Sequence, residues 1–408
     1  MVTRTLKTRL KYAFSDDQKT YGHEEIEKES HVSLARVAAE KSMVLIKNDK
    51  VLPLTAETGQ KVLVLGRLAN KENTGDIASS NSTSLNITTP YEGISTLNET
   101  LQNVVELYEG PDTNLAAEKA KEADQVILVV GYTFEDEGEY ININGDMEGS
   151  AKAGKLVGKK GIGGDRESLK LLPEDEALIQ AVSEVNKNVV VVYVGGSAIN
   201  MNAWEPNVAS ILFAWYGGME GGTALANVLY GKVNPSGKLP FSIARNDSDY
   251  PYFNPYTLKI DYGYYHGYTL FEKENIEVAY PFGYGLSYTT YAYNDLQIME
   301  SELKKDGVLR AKVNVTNTGG VAGEEIVQLY IGFKNSSVDR PVKLLRGFDK
   351  IGLEPGETKT VELEVNIQDL AWYDPEVKQW KIEEMVYELY VGPSSKKEEL
   401  IEAEFIVK

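Results

Sequence analysis

Between the apolar run QVILVVG (125–131) and a helix signal at Pro173 lies a long irregular stretch that opens with a crowd of acids. Glu135, Asp136, Glu137 and Glu139 stand almost side by side there. Carboxyls this close repel one another's charge, and partial burial adds to the effect, so one of them can keep a proton near neutral pH. A carboxylic acid of that kind is what protonation of a leaving oxygen demands of a general acid. Taken as residues alone, the cluster reads first as a solvated acidic loop.

Other chemistries find little support. The chain has no cysteine, which removes disulfides, thiol catalysis and cysteine–zinc sites. Its three histidines, His23, His31 and His266, would nearly all have to meet to build a metal site or a serine triad, so no metal and no cofactor is expected. Gly217, Gly218, Gly221 and Gly222 lie between a strand and a helix, but their spacing fits neither a dinucleotide fingerprint nor a phosphate loop. They read as close helix–strand packing. Gly195-Gly196-Ser197-Ala198-Ile199 lacks the last glycine of a nucleophile elbow. A net charge of −19 argues against nucleic acid and anionic membranes as partners. No run approaches the roughly 18 apolar residues of a membrane span, and the basic N-terminus lacks the apolar core of a secretory leader. The expectation is a cytoplasmic chain, or a secreted one if it derives from a longer precursor.

The elements that must position the acidic loop are legible. Residues 1–28 read as a polar linker or arm, with Tyr12, Phe14 and Tyr21 as scattered anchors. A helix is predicted near 29–42, with Leu34, Val37, Ala38 and Ala39 at helical spacing, followed by a strand at 43–48. Apolar strands at 61–66, 103–110, 125–131, 188–196 and 209–218 then alternate with helices at 92–101, 112–123, 173–185 and 220–231. In the third of these helices Pro173 sits in the first turn beside three acids, a strong start signal. Continuous Val/Ile/Leu strands alternating with helices predict a doubly wound, mostly parallel sheet covered on both faces, here spanning 29–245. Ligands of such sheets gather beyond the carboxyl ends of the strands, and the acidic loop follows one such end. The stretch 246–290 is rich in Tyr, Pro and Gly and connects to a second unit. Its tyrosines (Tyr250, Tyr252, Tyr256, Tyr262, Tyr264, Tyr265, Tyr268) could serve packing or form a ring-stacking surface for a ligand. From 291 to 408 the pattern changes to period-2 alternation at 308–319, 324–332, 358–366 and 386–392, separated by turn signals. That predicts an all-β, fibronectin III-like or immunoglobulin-like sandwich.

Several phrases occur together in one order: VLIKNDKVLPL, GDIASSNSTSLNITTPYEGI, FEDEGEY, GGDRESLKLLPEDEALI, WYGGMEGGTALANVLYGKVNPSGKLPFSI and YPFGYGLSYTTY. The sandwich adds VTNTGGVAGEEIVQLYI, LLRGFDKIGLEPGETKTVELEV and YELYVGPSS. In this order, over about 360 residues, the chain resembles the C-terminal region of glycoside hydrolase family 3. In that family an α/β-sandwich and a fibronectin III-like domain usually follow a catalytic (β/α)8 barrel. The resemblance implies a retaining β-glycosidase, usually a β-glucosidase or β-xylosidase. Its active site is divided: the barrel supplies the aspartate nucleophile, and the α/β-sandwich supplies the acid/base glutamate.

No SDW-like nucleophile motif and no barrel's length of chain are found here. The resemblance therefore implies that a separate barrel subunit, or a deleted or cleaved N-terminal part, provides the nucleophile against a β-glucoside or oligosaccharide. It puts the acid/base at Glu137, in an E-x-E-G phrase with Glu135 as its outer acid, and at Glu139 as the second choice. It makes Asp165-Arg166 the pair that follows, although about 26 residues intervene where many members have only a few. Arg166 then either pairs with a loop carboxylate and orders the loop, or is a structural salt bridge. Ser79 and Ser80 take the place of the family's GDxGSS loop, close to the sugar or as a plain turn, with Ala78 replacing the usual glycine. The rival reading is a carbohydrate-binding or assembly module of the same descent without turnover. The oligomeric state is not set by the sequence.

Overall fold

A computed structural model describes residues 2–15, 22, 25–75, 83–137, 141–142, 161–162, 166, 168–254 and 259–408. Helix α1 (Val2–Ala13) precedes α2 (Glu29–Ser42) and β1 (Val44–Asn48). Then come β2 (Lys61–Leu65), α3 (Pro90–Thr100), β3 (Val104–Tyr108), α4 (Thr113–Glu122) and β4 (Gln125–Gly131). A one-turn helix α5 (Phe134–Glu137) opens the long loop, which carries the short strands β5 (Ile141–Asn142) and β6 (Gly161–Ile162). Helix α6 (Pro173–Val185), β7 (Val189–Val194), β8 (Ser210–Phe213) and α7 (Gly221–Leu229) complete the first unit.

Six strands form one sheet in the order β1-β8-β7-β4-β2-β3. All neighbours are parallel except β1, which runs antiparallel to β8. A continuous apolar run signals burial on both faces but carries no direction, so the reversal of this edge strand was not legible. Alternate residues of each strand feed two separate cores. Leu63, Val126, Leu128, Val191 and Phe213 pack with Ala116 and Ala120 of α4 and Ile179 and Val182 of α6. Val62, Val64, Ile127, Val129 and Val192 pack with Ile94 of α3 and with Ala224, Leu225 and Val228 of α7. Helices α3 and α7 meet glycine on glycine: a Cβ on Gly93 would sit on the Gly222 carbonyl, and one on Gly222 on the Thr89 carbonyl. Of the glycine cluster, Gly222 thus packs helix on helix rather than helix on strand, while a Cβ on Gly218 or Gly221 would meet nothing within 4 Å.

One reading of the N-terminal part is corrected, that of its aromatic anchors. Residues 2–13 are helical, and every described side chain of α1 is exposed, Tyr12 at 63%; beyond it Phe14 is 80% exposed, so neither is an anchor. Tyr21 lies outside the described residues. The helix expected at 29–42 is α2; of its apolar positions Ala39 is buried and Leu34 is 65% exposed, and the buried Glu40 carboxylate accepts a 2.7 Å hydrogen bond from Asn227 of α7.

Beyond α7 run β9 (Ile243–Ala244), helix α8 (Gly267–Lys273) and β10 (Val278–Tyr280). In this connection Tyr268 stacks on Phe282 at 4.8 Å and meets Tyr330 edge-on, and Tyr250 packs on Phe271. Tyr252, Tyr262 and Tyr264 are exposed, and Tyr256 lies outside the described residues. The second unit is a sandwich of two sheets, antiparallel except where Glu302–Leu303 runs parallel to Ile401–Val407, around Leu309, Val313, Leu329, Val361, Leu363, Val391 and Phe405. One sheet holds β11 (Tyr291–Ile298), β13 (Val308–Asn317) and β16 (Thr358–Asn366). The other holds β12 (Glu302–Leu303), β14 (Gly323–Gly332), β15 (Lys343–Leu353), β19 (Val386–Gly392) and β20 (Ile401–Val407), while β17 (Trp372–Asp374) and β18 (Gln379–Lys381) form a separate hairpin. A charged seam fastens the two units: Lys41 and Lys350 bracket Glu324, and Lys238 pairs with the buried Glu325 at 3.2 Å. No helix among the described residues is long and apolar enough to cross a membrane.

Candidate functional site

Strand β4 ends on Gly131 at φ +129°, where a side-chain Cβ would sit on the Val194 carbonyl oxygen. Only glycine lets the chain turn here while staying hydrogen-bonded to β7. The next residues are then pinned in turn. Tyr132 donates its backbone N–H to Val194 at 2.8 Å. Thr133 caps α5: its hydroxyl accepts from the Glu135 N–H at 3.2 Å, and its own N–H donates to the Asp136 carboxylate at 2.9 Å. This reciprocal exchange is the geometry of a capping box.

Glu137 ends that turn with its carboxylate turned inward and 13% exposed. Its Oε1 accepts the Gly196 N–H at 2.9 Å and the Tyr216 hydroxyl at 2.5 Å. Its Oε2 meets Arg166 Nε at 3.1 Å. A carboxylate offers about four lone-pair sites, and among the described residues these partners take up three of them. Arg166 is itself fixed. It donates to the Ser197 hydroxyl and to the Ala198 carbonyl at 3.3 Å, and its guanidinium lies 4.1 Å from the Tyr132 ring centre. Burial, reinforced by the hydrogen bond to Glu137, pushes the Tyr216 hydroxyl far up, so it remains a donor. Burial likewise raises Tyr193, which donates to the Ser197 carbonyl.

The other acids of the cluster behave differently. Glu135 is 52% exposed and, among the described residues, its carboxylate pairs with Lys71 at 3.7 Å. Asp136 is committed to Arg67 at 3.0 Å as well as to Thr133. Of the sequence-predicted residues, the structure brings Glu137 and Arg166 together. Glu139, Ser79, Ser80 and Asp165 lie outside the described residues. Sequence reasoning missed Tyr216 and the Gly196 N–H as partners of Glu137. The available signal was positional, since both follow strands of the parallel sheet at their carboxyl ends.

Beneath α5 lies Asp175 of α6, 3% exposed. Burial pushes its carboxyl up to about 6, opposed by Arg67 and by the Gly131 N–H. A folded-state value above the unfolded 3.8 means the native chain binds the proton more tightly, so this group's contribution to stability falls as pH rises from about 4 to about 6. Asp175→Asn is expected to flatten that slope, which denaturation at a series of pH values measures. An undiminished slope in the variant would assign it to other groups.

The model of the glycosyl hydrolase family 3 C-terminal domain matches residues 43–288, and that of the fibronectin type III-like domain matches 325–395. The chain belongs to glycoside hydrolase family 3. This family 3 chain is 34% identical over 412 residues to thermostable β-glucosidase B of Acetivibrio thermocellus, covering 97% of the chain and 51% of that protein. It is 32% identical over 395 residues to a β-xylosidase of Formosa agariphila, covering 93% and 51%. Among solved structures, the β-D-glucoside glucohydrolase of Trichoderma reesei superposes with a TM-score of 0.82 at 27% identity, over 97% of this chain and 59% of that one. The chain therefore spans about half the length of the curated relatives it matches. Glu137, Arg166 and Tyr216 all lie within the matched 43–288 region.

Proposed function

We propose that the chain is the C-terminal part of a retaining β-glycosidase acting on β-glucosides, and that Glu137 is its acid/base. The supporting observation is the seating of Glu137. Among the described residues, donors from three separate segments, Gly196, Tyr216 and Arg166, fix both of its oxygens. Retaining hydrolysis needs two carboxyls about 5–5.5 Å apart, so a carboxyl supplied by one domain to a nucleophile on another must be held firmly. Neither Glu135 nor Asp136 meets that need: the first is exposed, the second is consumed by Arg67.

In the first step, a proton carried on the Glu137 carboxyl passes to the glycosidic oxygen as a barrel aspartate attacks the anomeric carbon. In the second, the same carboxylate takes a proton from water as that water displaces the aspartate. Arg166 and Tyr216 hold the group through both steps. The nucleophile is outside this chain, so the 408 residues alone should not turn over a β-glucoside.

Mixing the purified chain with a family 3 barrel tests this. Hydrolysis of an aryl β-glucoside is expected only in the mixture. Hydrolysis by the chain alone would overturn the two-part reading. Silence in a mixture whose components bind would make the chain a binding or assembly module.

A further inference from the structure

Arg67 follows β2 directly, and the role given to Glu137 does not use it. Yet its guanidinium ties together three parts of the molecule that sequence separates widely. It donates to the Gly131 carbonyl at the end of β4. It pairs with Asp136 in the second-last residue of α5 at 3.0 Å. It faces the buried Asp175 of α6 at 3.6 Å through Nε. Asp175 in turn accepts the Gly131 N–H at 3.2 Å, closing a ring of contacts around the point where the acidic loop leaves the sheet. The side chain of Arg67 is 27% exposed and that of Asp136 is 21% exposed, so neither tie is a loose surface pair.

We propose that Arg67 is a positioning residue for the acid/base loop: it clamps the Asp136 turn to β4 and α6 and thereby sets where Glu137 points. The assignment of a catalytic outcome to this clamp rests on the acid/base reading above. The logic is geometric. Glu137 is the next residue after Asp136, and its backbone N–H and that of Asp136 both donate to the Thr133 carbonyl. A rigid one-turn helix anchored at Asp136 can swing only a little at Glu137. Released from Arg67, α5 keeps its internal cap but loses its bearing on the sheet. A turn of four residues has little stability of its own, because helix nucleation is unfavourable without outside contacts. The fork of a guanidinium matters here, since a single ammonium cannot reach a carbonyl and two carboxylates on different elements at once. Among the described residues, Arg67 is the cation that offsets the burial of Asp175, while Glu174 and Asp136 add negative charge beside it.

The experiment is hydrogen–deuterium exchange on the whole chain, comparing wild type with Arg67→Met and Arg67→Lys. In Arg67→Met, amides of 132–137 should exchange about tenfold faster, while 189–194 of β7 and 386–392 of β19 stay unchanged and certify the fold. Arg67→Lys should restore part of the protection, a graded rescue that mere loss of side-chain bulk would not give. In an active mixture with a barrel, Arg67→Met should lower kcat by a similar factor with little change in KM. Unchanged exchange at 132–137 in Arg67→Met overturns the proposal, whatever the mixture does. If that variant does not fold, the proposal falls on Arg67→Lys exchanging like wild type at 132–137, and stands on an intermediate rate confined to that segment. Exchange is read without any barrel, so a silent mixture would sink the acid/base reading and leave this result standing.

Discussion

Replacing Glu137 by Gln should cut kcat/KM for an alkyl β-glucoside about a thousandfold in a mixture of this chain with a family 3 barrel, within the range that general acid–base catalysis supplies. The amide is nearly isosteric and its oxygen can still accept from Gly196 and Tyr216; the contact of Oε2 with Arg166 is lost, but Arg166 keeps Ser197 and Ala198, so the loop should keep its place. What it cannot do is deliver a proton. The loss should therefore depend on the leaving group. An alkoxide needs that proton badly, whereas a dinitrophenolate leaves without it, so a dinitrophenyl β-glucoside should lose far less in the first step. A structural defect would depress both substrates alike. Equal losses would mean that Glu137 anchors the loop and donates nothing. The same leaving-group signature in Glu139→Gln, with Glu137→Gln only mildly impaired, would move the acid/base to Glu139.

The second large effect is on stability. Gly131→Ala should destabilise the chain by about 4 kcal/mol or more, the exceptional range for a single substitution. Two causes combine. A residue with a side chain resists φ +129°, and its Cβ would occupy the place of the Val194 carbonyl oxygen at the carboxyl end of the β4–β7 ladder. The two strands would have to part where Val130 pairs with Tyr193 and Gly131 with Val194. Gly218→Ala is the control. Its φ of +68° is also left-handed, but nothing lies within 4 Å of the added Cβ, so only about 1 kcal/mol of backbone cost is expected. Urea unfolding of both variants measures the contrast. A Gly131→Ala chain as stable as the control would mean that β4 can end in another way.

Much of the fold could be read from the chain because its strands are buried on both faces. Runs such as VVVVYV (189–194) have every residue buried, and no alternative element accommodates them. The sandwich strands β13 and β16 were legible for the opposite reason, since they alternate strictly between core and solvent. Strand β15 carries neither signal: most of its 11 residues are partly exposed, with no regular period, and it forms through its pairing with β14. The site divides along the same line. Carboxylates clustered after a strand are visible locally, and so is an arginine before a helix. Arg67, in an unremarked GRLA, matters only because folding brings Asp136 from 69 residues away. Tyr216 likewise meets Glu137 across 79 residues. No local pattern encodes such meetings. They follow from the order in which strands were laid into the sheet, which sets β4 between β2 and β7 and gathers their carboxyl ends.

The most direct measurement uses the Glu137→Gln chain with its barrel, a dinitrophenyl β-glucoside and added azide. Without a general base, water attacks the glycosyl-enzyme slowly, but azide is already an anion and needs none. The account predicts that azide restores turnover and that β-glucosyl azide accumulates, because the second displacement returns the original configuration. No rescue in Glu137→Gln, with rescue and the same product in Glu139→Gln, would contradict it and take the acid/base role from Glu137.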